Sequence, residues 1–327
     1  MNSRQRFLAV LHGEETDHPP LFPEGMREEV LQTWRTQGLP QGADLVDLYY
    51  YDQFEQLDPD VYPSPEISDW SHPERLLSLL RERLDPADPK RLPGDWKQQV
   101  KKWRSRQHPI FMRIHQGLLL SLGVDDWRSF APAMLRLIDQ SAFVHEILAI
   151  QANFAVRLAD KILSQVDLDG VIFSEPIAGN HGALISPQMY RTFALQSYAP
   201  LFDLLRDYQV PAIIWRSYAN PLKLLPEVLQ FLFNVLWLCE LPPGALKPGQ
   251  LDELTRKKIT LIGGIDTDVL YQDARAIQQA VAALQPFAEN GYFIPLADGR
   301  VREDVPYQNY AFYRHELSRV FIDSCSS

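Results

Sequence analysis

The amino-acid sequence predicts an α/β fold, a single (β/α)8 TIM barrel over residues 1–327 with a helical excursion in its N-terminal part, and three observations carry this prediction. From residue 169 onward short apolar runs recur at intervals that leave room for a helix between them. The runs are unbroken, as expected of parallel strands covered on both faces, whereas a strand with one wet face would alternate. Most of them also end on an ionisable residue, and the C-terminal ends of the strands are where such a barrel carries its active site.

Taken in order, the first segment reads as a helix capped by Ser3, running through Phe7, Leu8, Val10 and Leu11 and stopped by Gly13. Asp17-His18-Pro19-Pro20 then breaks the chain before Leu21-Phe22-Pro23, a short first strand that ends at Glu24. Residues 53–107, punctuated by Pro59, Pro63 and Pro65, form a long excursion over one barrel rim. The clear helix there covers 73–84 by its leucine spacing, with Ser71 as its cap and Pro73 in its first turn. Residues 109–115 read as a strand ending at His115, 127–168 as largely helical, and Ser186-Pro187 as the start of a further helix. The later strands are Gly170-Val171-Ile172-Phe173 leading to Glu175, Val210-Pro211-Ala212-Ile213-Ile214-Trp215 to Arg216 and Val235-Leu236-Trp237-Leu238-Cys239 to Glu240. Two more follow, Thr260-Leu261-Ile262-Gly263-Gly264-Ile265 leading to Asp266 and Tyr292-Phe293-Ile294-Pro295-Leu296-Ala297 to Asp298.

Composition narrows the function classes. Hydrophobic residues at 46% and charged residues at 23% describe a folded domain with a large core. A net charge of -10, with no basic cluster denser than Lys97, Lys101, Lys102, Arg104 and Arg106, argues against a nucleic-acid partner. Two cysteines, Cys239 and Cys325, cannot build a disulfide framework or a Cys-rich zinc site. The N-terminus leads into an amphipathic helix instead of a signal sequence, and no run reaches membrane-spanning length, so a cytoplasmic protein without a membrane partner is expected. Gly263-Gly264 sits in no nucleotide-binding pattern, and close backbone packing explains it better.

The row of strand-end charges is the candidate site. Arg216 offers a cation for an anionic substrate, while Glu175, His181 in the loop after the third run, and Asp298 complete the candidate catalytic set. Glu24, His115, Tyr218, Glu240, Asp266 and Arg300 are the candidate substrate-binding residues. Each charge taken singly also reads as a polar cap on a buried strand, and all of them together as a structural ion-pair ring closing the barrel mouth. A divalent cation among these carboxylates is chemically possible, but no spacing requires it, so no metal and no cofactor is assigned.

Four pieces spread along the chain are similar to the uroporphyrinogen decarboxylase superfamily, which also holds cobalamin-linked methyltransferases. They are Arg4-Gln5-Arg6-Phe7-Leu8-Ala9 before Asp17-His18-Pro19-Pro20, then Leu184-Ile185-Ser186-Pro187-Gln188-Met189-Tyr190, Leu261-Ile262-Gly263-Gly264-Ile265-Asp266, and Asp304-Val305-Pro306. The resemblance implies one barrel with substrate at its C-terminal face. It also marks departures. The methyltransferase branch ends one strand in a His-x-Cys-Gly-Asn-like zinc motif where this chain has Arg216-Ser217-Tyr218-Ala219-Asn220, and its third ligand falls near Gly299. The decarboxylase branch has an Arg-Gln-Ala-Gly-Arg-Tyr segment where this chain has Phe22-Pro23-Glu24-Gly25-Met26-Arg27, and its late histidine also falls near Gly299.

The expectation is therefore an enzyme acting on a small or medium-sized anionic organic molecule by decarboxylase-type acid–base chemistry without metal. Arg216 would stabilise the carbanion-like transition state, and His181 or Asp298 would supply the proton. One alternative is a methyltransferase that partners a corrinoid protein, and another is a binding protein that has kept only the fold. By analogy the resemblance also implies a homodimer.

Overall fold

The computed structural model describes residues 1–67, 69–70, 72–242, 244, 248–297 and 299–323, with Pro248 described by its backbone alone. The strands are β1 (Glu55–Leu57), β2 (Ile110–His115), β3 (Gly170–Glu175), β4 (Ala178–Gly179), β5 (Gly182–Ala183), β6 (Ala212–Tyr218), β7 (Val235–Cys239), β8 (Thr260–Ile265) and β9 (Phe293–Ala297). Among the described residues seven of them pair in parallel in the order β1-β2-β3-β6-β7-β8-β9, and β4 and β5 make a separate antiparallel hairpin in the loop after β3. Helices cover the outside of this curled sheet, as the unbroken apolar runs require. The arrangement is a TIM-barrel-like α/β fold.

The predicted first strand lies in the gap between β9 and β1 but carries no ladder of its own. Leu21 exchanges hydrogen bonds with Asp52 just before β1, its N–H donating to Oδ2 at 2.9 Å and its carbonyl accepting from the Asp52 N–H at 3.0 Å. Gly25 makes one parallel bridge to Arg300, just after β9. Pro19, Pro20 and Pro23 have no N–H to give, which is why this stave closes the barrel without becoming a regular strand.

Strand alternation sorts the side chains into two cores. Phe111, Ile172, Ala212, Ile214, Val235, Trp237, Cys239, Ile262, Ile294 and Leu296 fill the lumen, while Ile213, Trp215, Phe173, Leu236 and Leu261 face the helix layer. The first helix, Ser3–His12, contributes Phe7, Val10 and Leu11 to the lumen core, with the Phe7 and Phe111 rings 4.9 Å apart. Its Arg4 Nε donates to Asp169 just before β3 at 2.7 Å, which holds the helix across the N-terminal end of the barrel. Its cap is Asn2, in a reciprocal capping box with Gln5, and Ser3 is the first helical residue; Gly13 ends it in the left-handed region as expected.

The excursion predicted over 53–107 contains a barrel strand that the sequence reading missed, β1, and the chain between β1 and β2 carries helices Pro73–Arg83 and Trp96–Trp103. The residue before Pro73 is His72, which caps without a side-chain hydrogen bond, and Ser71 lies outside the described residues. Helices Trp127–Asp139 and Ser141–Leu163 fill the predicted helical stretch, and the Ser186 hydroxyl accepts from the Met189 N–H at 3.2 Å, as the Ser-Pro pattern implies.

Candidate active site

A pocket of about 660 Å3 opens at the C-terminal ends of β6, β7 and β9. Arg216 and Tyr218 enter it from β6 because they share the phase of Ala212 and Ile214, which face the lumen. Arg216 lies over the Trp237 ring at 4.7 Å and the Tyr218 ring at 5.6 Å. Its Nη1 donates to Gln56 Oε1 at 3.2 Å, and its buried Nε has no hydrogen-bond partner among the described residues. Arg27, Arg300 and Arg302 line the same pocket, opposed by Glu240 and Glu303. Arg27 and Arg300 are exposed and have no carboxylate partner among the described residues, whereas Arg302 pairs with Asp268 at 3.5 Å. Among the described residues four guanidinium groups, one of them paired with Asp268, face two carboxylates in the pocket lining, on a chain whose net charge is -10.

Glu240 follows β7 in the left-handed region, at φ 56°, which turns it back over the mouth. Gly299 stands against it at φ 116°, and a Cβ there would meet the Glu240 Cγ at 2.7 Å. Glycine is therefore required on both counts, backbone conformation and close approach.

Four of the expected site residues, Arg216, Tyr218, Glu240 and Arg300, meet in this pocket. Glu175, His115 and Glu24 do not. Glu175 has the phase of Val171 and Phe173, so it points out of the lumen, where its carboxylate accepts from the Tyr198 hydroxyl and from the Leu118 N–H at 3.1 Å. Full burial pushes its acid up to about 7. His115 has slipped to the same outer layer because a register shift between Arg113 and His115 reverses its phase. It stacks near Phe173 and Tyr198, burial lowers its pKa to about 3, and its Nδ1 accepts from the Gly117 N–H, which places the proton of the neutral ring on Nε2. Glu24 accepts from Tyr310 and Tyr313 and pairs with Arg314 at 3.2 Å, joining the first stave to the last helix, Tyr307–Phe321. His181 is exposed at the turn of the β4–β5 hairpin, away from the pocket lining. Asp266 caps the following turn through the Asp268 N–H at 2.9 Å and borders a smaller neighbouring recess with Glu240 and Arg302. Asp298 lies outside the described residues.

The family model for uroporphyrinogen decarboxylase (URO-D) matches residues 127–313, more than half of the chain. The chain belongs to the uroporphyrinogen decarboxylase family. Among solved structures it is similar to a methyltransferase from Methanosarcina mazei, with 14% identity, coverage of 98% of this chain and 99% of that one, and a TM-score of 0.58, which supports the barrel fold. An endo-1,4-beta-xylanase, XylE, from Penicillium canescens aligns at 10% identity over 88% of this chain and 97% of that one, with a TM-score of 0.40. No curated protein matches.

Within this uroporphyrinogen decarboxylase family barrel the mouth also holds residues that the strand-end pattern misses. Gln56 bridges Arg216 to Asp58, donating to its two carboxylate oxygens at 3.0 and 2.8 Å, and Asp58 pairs with Arg113 at 3.1 Å. Arg113 sits inside β2 with the phase of Phe111, so lumen alternation would have found it; Asp58, Arg27 and Arg302 lie in loops and carry no periodic signal. A zinc site of the methyltransferase type does not fit here. Arg216 and Tyr218 occupy the strand end, Gly299 offers no donor, and no three His, Cys, Asp or Glu side chains converge among the described residues.

Proposed function

We propose that this member of the uroporphyrinogen decarboxylase family is an enzyme that removes a carboxyl group from a small or medium-sized carboxylate-bearing molecule at the mouth lined by Arg216. The observation that carries this reading is the convergence of Arg27, Arg216, Arg300 and Arg302 on one pocket, with Arg216 braced between two aromatic rings and its buried Nε unsatisfied. Planar guanidinium groups recognise carboxylates through paired N–H donors. Arg27 and Arg300 hold spectator carboxylates. The carbon–carbon bond to the departing carboxylate breaks, its electron pair stays on carbon facing Arg216, and carbon dioxide leaves. A proton from solvent, passed through the Tyr218 hydroxyl, completes the product, and Glu240 orients the substrate's polar groups.

The test is a panel of aromatic and aliphatic di- and tricarboxylates, scored for binding and for carbon dioxide release. Arg216→Ala is expected to weaken binding of any accepted carboxylate by about tenfold to a hundredfold, as loss of a hydrogen bond to a charged group implies. If a carboxylate is turned over equally well by wild type and Arg216→Ala, the assignment fails. Turnover that appears only with a corrinoid protein would move methyl transfer ahead of decarboxylation.

A further inference from the structure

We infer that Gln56 is a positioning residue for Arg216, and that Asp58 fixes which end of the Gln56 amide does the positioning. This inference rests on the proposed function, because Arg216 is the group it serves. Gln56 reaches the mouth from β1, where it pairs in register with Phe111, a lumen residue of β2. Asp58 stands two residues beyond Gln56 and Arg113 two beyond Phe111, which brings carboxylate and guanidinium level with each other, 3.1 Å apart.

The contacts leave the amide one orientation. A carboxylate can only accept and a guanidinium can only donate. The amide group 3.0 and 2.8 Å from the two Asp58 oxygens is therefore the nitrogen, and the group 3.2 Å from Arg216 Nη1 is the oxygen. A flipped amide would set donor against donor at one end and acceptor against acceptor at the other. The rings of Trp237 and Tyr218 hold the Arg216 cation by its charge, which sets where the group lies but not how it is turned in its own plane. The bond to Gln56 supplies that direction. It takes one N–H of Nη1 and so decides which N–H groups are left for a ligand. The choice of glutamine also matters for charge. Asp58 is balanced by Arg113, and the neutral amide brings no charge of its own to Arg216, so the guanidinium keeps its charge for an anionic ligand. A carboxylate at position 56 would hold the same cation and neutralise it.

The test joins a binding measurement to one that needs no ligand. Phthalate and citrate are titrated calorimetrically into the full chain between pH 8 and pH 5, and each affinity is divided by that of wild type at the same pH, which removes the titration of the ligand. Gln56→Leu, which offers no acceptor, is expected to bind at least about tenfold more weakly at every pH. Gln56→Glu is expected to be as weak at pH 8 and to approach wild type at pH 5. There the introduced carboxyl group, beside the Asp58 carboxylate, takes up a proton, donates its O–H to Asp58 and turns its carbonyl to Arg216, as the amide does. The second measurement is exchange with solvent of the N–H on the buried Arg216 Nε, followed by NMR and assigned by loss of the signal in Arg216→Ala. Gln56→Leu and Asp58→Ala are each expected to speed it at least about tenfold. Undiminished binding by Gln56→Leu, unchanged exchange, or a weakening in Gln56→Glu that is the same at pH 8 and pH 5 would each overturn the inference; if Gln56→Leu fails to fold, Asp58→Ala and the pH profile of Gln56→Glu decide. Wild type that binds neither acid, with exchange still faster in the variants, would overturn the proposed function and leave the positioning role standing.

Discussion

At the scale of single residues, a side chain's phase along its strand decides its role. Glu175 and Arg216 both sit at the ends of apolar runs, yet one is sealed in the helix layer and the other faces the mouth. For Glu175 the result is a pH effect on stability. Its acid lies near 7 in the folded protein, above the ordinary value of 4.5, so the folded state holds the proton more tightly than the unfolded chain does. The folded protein therefore loses stability as pH rises from about 4.5 to about 7, and the loss is complete above that. Glu175→Gln keeps the shape and can serve Leu118 and Tyr198 as the protonated acid does, so its urea midpoint is expected to exceed that of wild type at pH 8 by an amount worth a few kcal/mol and to approach it at pH 5. Parallel midpoints across that range would sink this account. The sequence shows that charges follow the apolar runs, but the bulge that re-phases His115 and the helix layer that receives Glu175 are tertiary facts with no local signal.

Among elements, the loops after the strands set the shape of the mouth. β7 and β9 deliver Glu240 and Arg300 only because the chain after each strand turns through the left-handed region, at Glu240 and at Gly299. Gly299→Ala is expected to displace Glu240 and to lower carboxylate affinity about tenfold or more, with a cost to folding of about 1–3 kcal/mol from the forced backbone conformation. Calorimetric titration beside a melting curve checks both parts, and unchanged affinity would show that Glu240 does not orient the ligand. At the other end of the barrel, the first helix acts as a plug. Phe7 is fully buried against Phe22 and Phe111, and Phe7→Ala is expected to cost about 3–5 kcal/mol by urea unfolding while leaving the arginine pocket intact. The helices and most strands are legible from apolar runs, Gly13 and Ser186-Pro187. The first stave is legible as an extended segment, but its missing ladder follows from three prolines whose partners only the closed barrel reveals.

For the molecule as a whole, closure depends on a bond between the two ends of the sequence. Arg314 in the last helix and Glu24 in the first stave form a buried pair, and Arg314 also donates to the carbonyls of Phe22 and Tyr50. Arg314→Met leaves a buried carboxylate without its cation and is expected to cost about 3–5 kcal/mol; the double variant with Glu24→Gln is expected to recover a large part of that, as a double-mutant cycle would show. Additive losses would mean that the pair does not act as a unit. Neither partner is legible as such from the sequence, since they lie at opposite ends of the chain and neither belongs to a motif. The prolines of the first stave carry a further consequence. Where the other staves are joined by ladders of backbone hydrogen bonds, this one is fastened largely by side chains, so it gives the barrel a preferred line of parting. Native-state hydrogen exchange is expected to release the amide of Val301 through partial openings well below the free energy of global unfolding, while those of β3 and β6 wait for the whole fold to come apart.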